Sequence, residues 1–174
     1  MSRKNTVAIK RLTTEYKKLT QDPPMGITAG PINEKDLFTW EAVMVGPEGT
    51  EYEGGILTAK LVFPADYPMN PPKMTFTCPM WHPNIYANGD VCISILHPPT
   101  EDPTHYEQIS ERWCPVQNIE KILISVMSLL SCPNCESPAN VDAAVMYRTK
   151  RELYVKKCKE CVEQSKIRYK ATHK

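Results

Sequence analysis

The placement of proline constrains this chain more than any other feature. Its 16 prolines concentrate between Pro64 and Pro115, in Tyr67-Pro68-Met69-Asn70-Pro71-Pro72, His82-Pro83-Asn84, His97-Pro98-Pro99 and Trp113-Cys114-Pro115. Proline locks φ and supplies no N–H. The central stretch therefore cannot be continuous helix or sheet. It must be ordered, irregular chain, which is where functional groups tend to be carried.

Regular structure is expected on either side. Ile9, Leu12, Tyr16 and Leu19 repeat at helical spacing, Asn5 or Thr6 is the expected cap, and Asp22-Pro23-Pro24 ends the run. The segments 38–45, 56–63 and 73–77 are β-rich, 38–45 also alternates, and 27–32 carries less of the same pattern. Gly46-Pro47-Glu48-Gly49-Thr50 is a turn signal, and short links between such strands favour an antiparallel meander. Beyond the proline-rich stretch, Asn118 can cap a helix whose apolar face is Ile119, Ile122, Leu123, Val126, Leu129 and Leu130. Asn140 can cap a short helix through Val141–Tyr147, and Thr149-Lys150-Arg151-Glu152 reads as a capping box opening a last helix. Helix, strands, long loop and helices in that order imply an α+β domain, expected to occupy residues 1–174 as one unit.

Composition narrows the function. A net charge of +1 predicts neither nucleic-acid binding nor membrane adhesion in bulk, although Lys and Arg cluster in the first and last helical segments. No run approaches the ~20 apolar residues of a membrane span, and no signal-peptide core follows the N-terminus, so the chain is expected in cytoplasm or nucleus. Seven cysteines, an odd number, are then expected as thiols.

The most informative stretch runs from Trp81 to Leu96: Trp81-His82-Pro83-Asn84-Ile85-Tyr86-Ala87-Asn88-Gly89-Asp90-Val91-Cys92-Ile93-Ser94-Ile95-Leu96. It resembles the active-site segment of ubiquitin-conjugating enzymes, a His-Pro-Asn triplet followed by a cysteine. Phe63-Pro64-Ala65-Asp66-Tyr67-Pro68-Met69-Asn70-Pro71-Pro72-Lys73 and Trp113-Cys114-Pro115-Val116-Gln117-Asn118-Ile119 are similar to that family's loops on either side of it, and the three motifs come in the family's order. The resemblance implies the UBC-like fold, with an N-terminal helix, a four-stranded antiparallel meander, a long active-site loop and C-terminal helices. It also implies that Cys92 carries ubiquitin as a thioester and passes it to an amine. The chemistry suits the residue, because a thiolate is a strong nucleophile and a thioester keeps the acyl group activated. The other six cysteines are read as structural, free cysteine being often buried. Asn84 is the candidate donor to the oxyanion, or a brace for the loop, or both. His82 is read as a buried tie for the loop. No histidine stands out as a base for Cys92, while His97 is placed to cover the groove.

Two departures from the family's common pattern stand out. Between Leu96 and Trp113 lies an insertion resembling the family's long-loop branch, and Cys92-Ile93-Ser94-Ile95-Leu96-His97 and Glu111-Arg112-Trp113 are most similar to its G-type enzymes. That resemblance implies polyubiquitin chains of the kind that direct proteins to the proteasome, and work in endoplasmic-reticulum-associated degradation. Loop closure costs little, so the insertion can be merely tolerated. Alternatively, Glu101 and Asp102 attract or deprotonate the incoming lysine. The second departure is Ser137, standing where many members carry an aspartate that orients the lysine. A serine cannot act as a carboxylate, so that work is expected to fall to Glu136 or the long loop.

Rival readings are a zinc module, from Cys132-Pro133-Asn134-Cys135 and Cys158-Lys159-Glu160-Cys161, a non-catalytic relative, and the same chemistry on another ubiquitin-like modifier. Cys158 and Cys161 lie on an apolar stripe with Tyr154 and Val162, which core packing explains without metal, so no metal is expected. The resemblance implies as partners ubiquitin, its activating enzyme, a RING-type ligase and protein substrates. It places the ligase surface at Lys10, Arg11, Glu15, Phe63, Pro115 and Val116. No cofactor is expected, since ATP is consumed upstream by the activating enzyme. Any work at the endoplasmic reticulum requires recruitment by a partner, since no membrane insertion is expected.

Overall fold

The computed structural model describes residues 3–99 and 109–174. Helix α1 (Arg3–Gln21) leads into strands β1 (Ile27–Asn33), β2 (Asp36–Val45), β3 (Ile56–Val62) and β4 (Lys73–Phe76), and helices α2 (Ile119–Ser131), α3 (Val141–Thr149) and α4 (Arg151–Thr172) follow. The four strands form an antiparallel meander in the order β1-β2-β3-β4, with Ile27 opposite Met44, Trp40 opposite Leu61, and Leu61 opposite Met74. This is the α+β architecture expected. Alternation sends Trp40, Ala42 and Met44 of β2 and Leu57 and Leu61 of β3 into the core, where they meet Ile119, Ile122, Leu123 and Val126 of α2.

The face that α1 buries differs from the one its periodicity suggested. Ala8, Leu12, Glu15 and Leu19 are buried, whereas Tyr16 lies at the edge of Trp40, with ring centroids 5.6 Å apart, and remains exposed. The helix begins at Arg3, so Asn5 and Thr6 lie within its first turn and not at the position before it. Asn118 and Asn140 are caps as expected, accepting from the Lys121 N–H at 2.8 Å and the Ala143 N–H at 3.0 Å. The expected capping box at Thr149 does not form. α3 runs through Thr149, whose hydroxyl donates back to the Val145 carbonyl at 2.7 Å, and Lys150 opens α4 without a side-chain cap.

Aromatic contacts order the proline-rich centre. Trp40, Phe63, Tyr67 and Trp113 stack in succession at centroid distances of 5.4, 5.0 and 5.7 Å, and the Trp113 indole donates to the Pro68 carbonyl at 2.8 Å. The row draws the loop after β3 and the loop before α2 together over one end of the core. On another side, the buried Tyr52 hydroxyl donates to the Trp81 carbonyl at 2.6 Å and meets the Tyr154 hydroxyl at 2.9 Å. That contact pins the start of the His-Pro-Asn segment to α4. Among the described residues no helix is long and apolar enough to cross a membrane.

Candidate active site

The segment from His82 to Cys92 folds back on itself against β4. Val91 donates to the Met74 carbonyl at 3.0 Å and Phe76 to the Gly89 carbonyl at 2.8 Å, while Cys92 donates its N–H to the Asn84 carbonyl at 2.9 Å. The turn depends on Gly89, at φ +95°, where a Cβ would stand 2.3 Å from the Phe76 carbonyl oxygen. Both chain reversals bring Cys92 back beside Asn84.

His82 is buried and acts as the hub of this loop. The Asn84 N–H donates to its Nδ1 at 2.9 Å, so Nδ1 is unprotonated and Nε2–H donates to the Leu129 carbonyl, also at 2.9 Å. Burial pushes its pKa down to about 4. A neutral ring tying the segment to α2 is a structural group, as the sequence suggested.

The Asn84 side chain is held at both its oxygen and its nitrogen by one neighbour. Its Nδ2 donates to the Asn134 carbonyl at 2.7 Å and its Oδ1 accepts from the Asn134 N–H at 2.8 Å. The Asn140 N–H donates to the Pro83 carbonyl at 2.9 Å, a second tie between the same two loops. The bracing alternative is therefore realised. An amide carries two N–H groups, and the bond to Asn134 uses one of them.

Cys92 is half-buried. After Ile93 the chain makes a 3₁₀ turn at Ser94–Leu96, which swings His97 round so that its Nε2 lies 3.9 Å from the Cys92 Sγ. The sequence showed no histidine as a base for the thiol; the turn brings His97 beside it. The Trp113 N–H donates to the His97 carbonyl at 3.1 Å, which holds the two ends of the long insertion together. His97 also helps line, with Pro71, Pro72, Tyr86, Val91 and Leu96, a groove of about 410 Å³. Glu101 and Asp102 lie outside the described residues. Glu136 and Ser137 are exposed, on the loop that carries Asn134.

The expected partner surface is redrawn. Phe63 is only 4% exposed, a member of the aromatic row, and cannot meet a partner. The exposed apolar residue of that loop is Met69, at 60%. Glu15 is likewise withdrawn, at 8% exposure: its carboxylate accepts from the Tyr67 hydroxyl at 2.6 Å, the Ile119 N–H at 2.7 Å and Arg11 Nε at 2.7 Å. Arg11 also donates from Nη1 to the Pro115 carbonyl at 2.9 Å and from Nη2 to the Gln117 carbonyl at 2.6 Å. Lys10 is exposed, Pro115 is partly exposed, and Val116 stands out at 85%. Met69 was legible as an apolar side chain set between proline and asparagine, away from the aromatic residues of its loop.

The remaining cysteines separate into two kinds. Cys78 and Cys158 are buried, and burial pushes the Cys158 thiol up to about 11. Cys158 donates to the Trp81 carbonyl at 3.4 Å, a packed structural thiol. Cys132 is exposed, and Cys114, Cys135 and Cys161 are half-buried, so the reading of all six as buried structural residues is corrected. Among the described residues no group of three or more His, Cys, Asp or Glu side chains is gathered as a metal site.

Comparison with known proteins places these features. A family model described as ubiquitin-conjugating enzyme matches residues 11–162. The chain is 58% identical to ubiquitin-conjugating enzyme E2 G2 of Homo sapiens over 158 residues, covering 91% of this chain and 96% of the relative. It is 57% identical to ubiquitin-conjugating enzyme E2-18 kDa of Schizosaccharomyces pombe, covering 85% and 89%, and 50% identical to ubiquitin-conjugating enzyme E2 7 of Arabidopsis thaliana, covering 88% and 93%.

Proposed function

Because the chain belongs to the ubiquitin-conjugating enzyme family, transferases that work through a cysteine thioester, we propose that Cys92 is that cysteine. The observation that carries this reading is the setting of the thiol: half-buried, its own N–H tied to Asn84 and its sulfur 3.9 Å from His97. The Cys92 thiolate attacks the thioester carbonyl of ubiquitin on the activating enzyme, and that enzyme's thiolate leaves. A lysine amine then attacks the new thioester, the Cys92 thiolate leaves, and the amine's proton passes to solvent or a nearby base. Each attack places negative charge on the carbonyl oxygen. The second N–H of Asn84 is the donor assigned to it, on an amide held rigid by Asn134.

His97 covers the thiol and screens the thioester from water. Lysine activation falls to Glu136 on the Asn134 loop and to Glu101 and Asp102 of the insertion, since Ser137 has no carboxylate. The ligase surface is Met69, Pro115 and Val116 with Lys10 beside them, while Arg11 and Glu15 hold those loops in place from behind. A RING-type ligase, ubiquitin, the activating enzyme and protein substrates are the partners. The chemistry needs no cofactor here, ATP being spent by the activating enzyme. The resemblance of the insertion and its flanks to the long-loop, G-type branch is the ground for adding that the enzyme builds chains that direct substrates to the proteasome, from the cytoplasm or nucleus, with a partner recruiting it to the endoplasmic-reticulum surface.

The test is charging. Incubated with ubiquitin, activating enzyme and ATP, the wild type forms an adduct that thiol reductant removes, and Cys92→Ala forms none. Failure of the wild type to charge refutes the assignment. Discharge to free lysine then separates the carboxylates: unchanged rates in Glu101→Ala, Asp102→Ala and Glu136→Ala alike remove them from the mechanism.

A further inference from the structure

Two thiols bracket the residue that holds Asn84. Cys132, exposed, is the C-cap of α2, and Cys135, half-buried, stands three residues on. Between them Asn134 gives its N–H and its carbonyl to the Asn84 side chain, at 2.8 and 2.7 Å. Its own side chain accepts from the Glu136 N–H at 3.0 Å, and Arg148 donates to the Cys135 carbonyl. All these contacts belong to one conformation of the loop. Cys132 lies in a bend, at φ −135° and ψ 85°, and residues 133–135 form no helix, strand or turn.

A C-x-x-C pair can close into a disulfide when the chain turns between its cysteines. Disulfide geometry needs the two Cα atoms within about 7 Å, the separation that a four-residue turn provides. Closing the ring requires a turn over Pro133 and Asn134 that the loop lacks here, and so reorients the two Asn134 backbone groups presented to Asn84.

We propose that Cys132 and Cys135 form a redox-sensitive clasp on Asn84: the dithiol holds the amide beside Cys92, and the disulfide releases it. The oxidant is a low-molecular-weight disulfide such as glutathione disulfide. The Cys132 thiolate attacks it and expels one glutathione thiolate. The Cys135 thiolate then attacks the mixed disulfide at the Cys132 sulfur and expels the second. The protein dithiol is oxidised by two electrons, its two protons pass to solvent or to the departing thiolates, and the glutathione disulfide is reduced to two glutathiones. The consequence for catalysis rests on the role assigned to Asn84 under Proposed function; the clasp itself does not.

The first arm uses Cys92→Ser protein, so that the site thiol takes no part, equilibrated in glutathione buffers of graded redox ratio. Mass spectrometry is expected to find a 132–135 disulfide, and the Asn84 side-chain amide resonances in ¹⁵N spectra to move along the same titration. Cys135→Ser should abolish both changes. Absence of the disulfide even in pure glutathione disulfide, or an Asn84 amide unmoved once it has formed, overturns the proposal. The second arm uses wild-type enzyme already charged with ubiquitin, in which Cys92 is masked as the thioester, treated with the azo oxidant diamide, which releases no thiol. Discharge to lysine is expected to slow roughly tenfold, the order of losing part of an oxyanion contact, with Cys135→Ser resistant. A disulfide that moves the Asn84 amide and leaves discharge unchanged upholds the clasp and refutes the catalytic role of Asn84.

Discussion

Replacing Glu15 by alanine tests how the partner surface is built. The carboxylate takes the Tyr67 hydroxyl from the loop after β3, the first N–H of α2 at Ile119, and Arg11 Nε from its own helix. Tyr67 and Ile119 are both at most 1% exposed, so water cannot replace the lost acceptor at either. An orphaned buried donor costs about 1–3 kcal/mol. Arg11 keeps its two carbonyl partners and is partly solvated, so its share is small. Recovered solvation of a buried carboxylate offsets part of the loss. The expected net cost is about 3 kcal/mol in urea unfolding at neutral pH, read as a shift in midpoint at constant slope. Tyr67→Phe, which removes one donor and leaves the carboxylate its other two, should cost about 1 kcal/mol. Because the two residues share a bond, Glu15→Ala made on the Tyr67→Phe background should cost about 1 kcal/mol less than on wild type. A loss below about 1 kcal/mol for Glu15→Ala, or strict additivity of the pair, refutes the claim that this carboxylate staples the loops.

His82 supplies a pH dependence. Its folded pKa lies near 4, below the unfolded value of about 6.5, so unfolding takes up a proton between those values and stability falls as pH drops through that window, by up to about 3 kcal/mol. Urea unfolding of wild type against His82→Gln from pH 7 to 4 checks it, and equal slopes in pH would contradict the buried neutral ring. Gly89→Ala must relieve both a positive φ and a Cβ 2.3 Å from a carbonyl; a loss of about 2 kcal/mol or more is expected in thermal unfolding, with slowed charging, because the turn positions Cys92. Met69→Asp and Val116→Asp should leave charging by the activating enzyme within about twofold and cut ligase-stimulated discharge more than about tenfold, since a charge is buried against an apolar partner. Phe63→Leu should instead act through stability and leave ligase stimulation of the folded enzyme intact.

The local and the non-local parts of this protein were not equally legible. Strand alternation in β2, the β-rich run of β3, the apolar face of α2 and the caps at Asn118 and Asn140 depend on residues within a few positions of each other, and the chain carries them openly. The three proline-bounded motifs identified the family before any contact was known. They did so because proline, glycine, asparagine and a reactive thiol at set spacing are needed by the turn and the chemistry together.

Tertiary structure decided which hydrophobe of a loop is buried and which is offered, withdrawing Phe63 into an aromatic row and leaving Met69 out. It turned Glu15, an ordinary helix acid by sequence, into the acceptor of donors 52 and 104 residues away. It let α3 run through Thr149 and so cancelled a capping box that was locally well formed. At the site, sequence alone determined that Cys92 and Asn84 belong to one short segment. Only the fold decided that Asn84 is held by Asn134, fifty residues on, and that a 3₁₀ turn lays His97 beside the thiol. Spacing along the chain governs what a few residues can form among themselves. Which side chains share a buried donor or one face of a groove is set by how distant segments pack, and no local pattern records it.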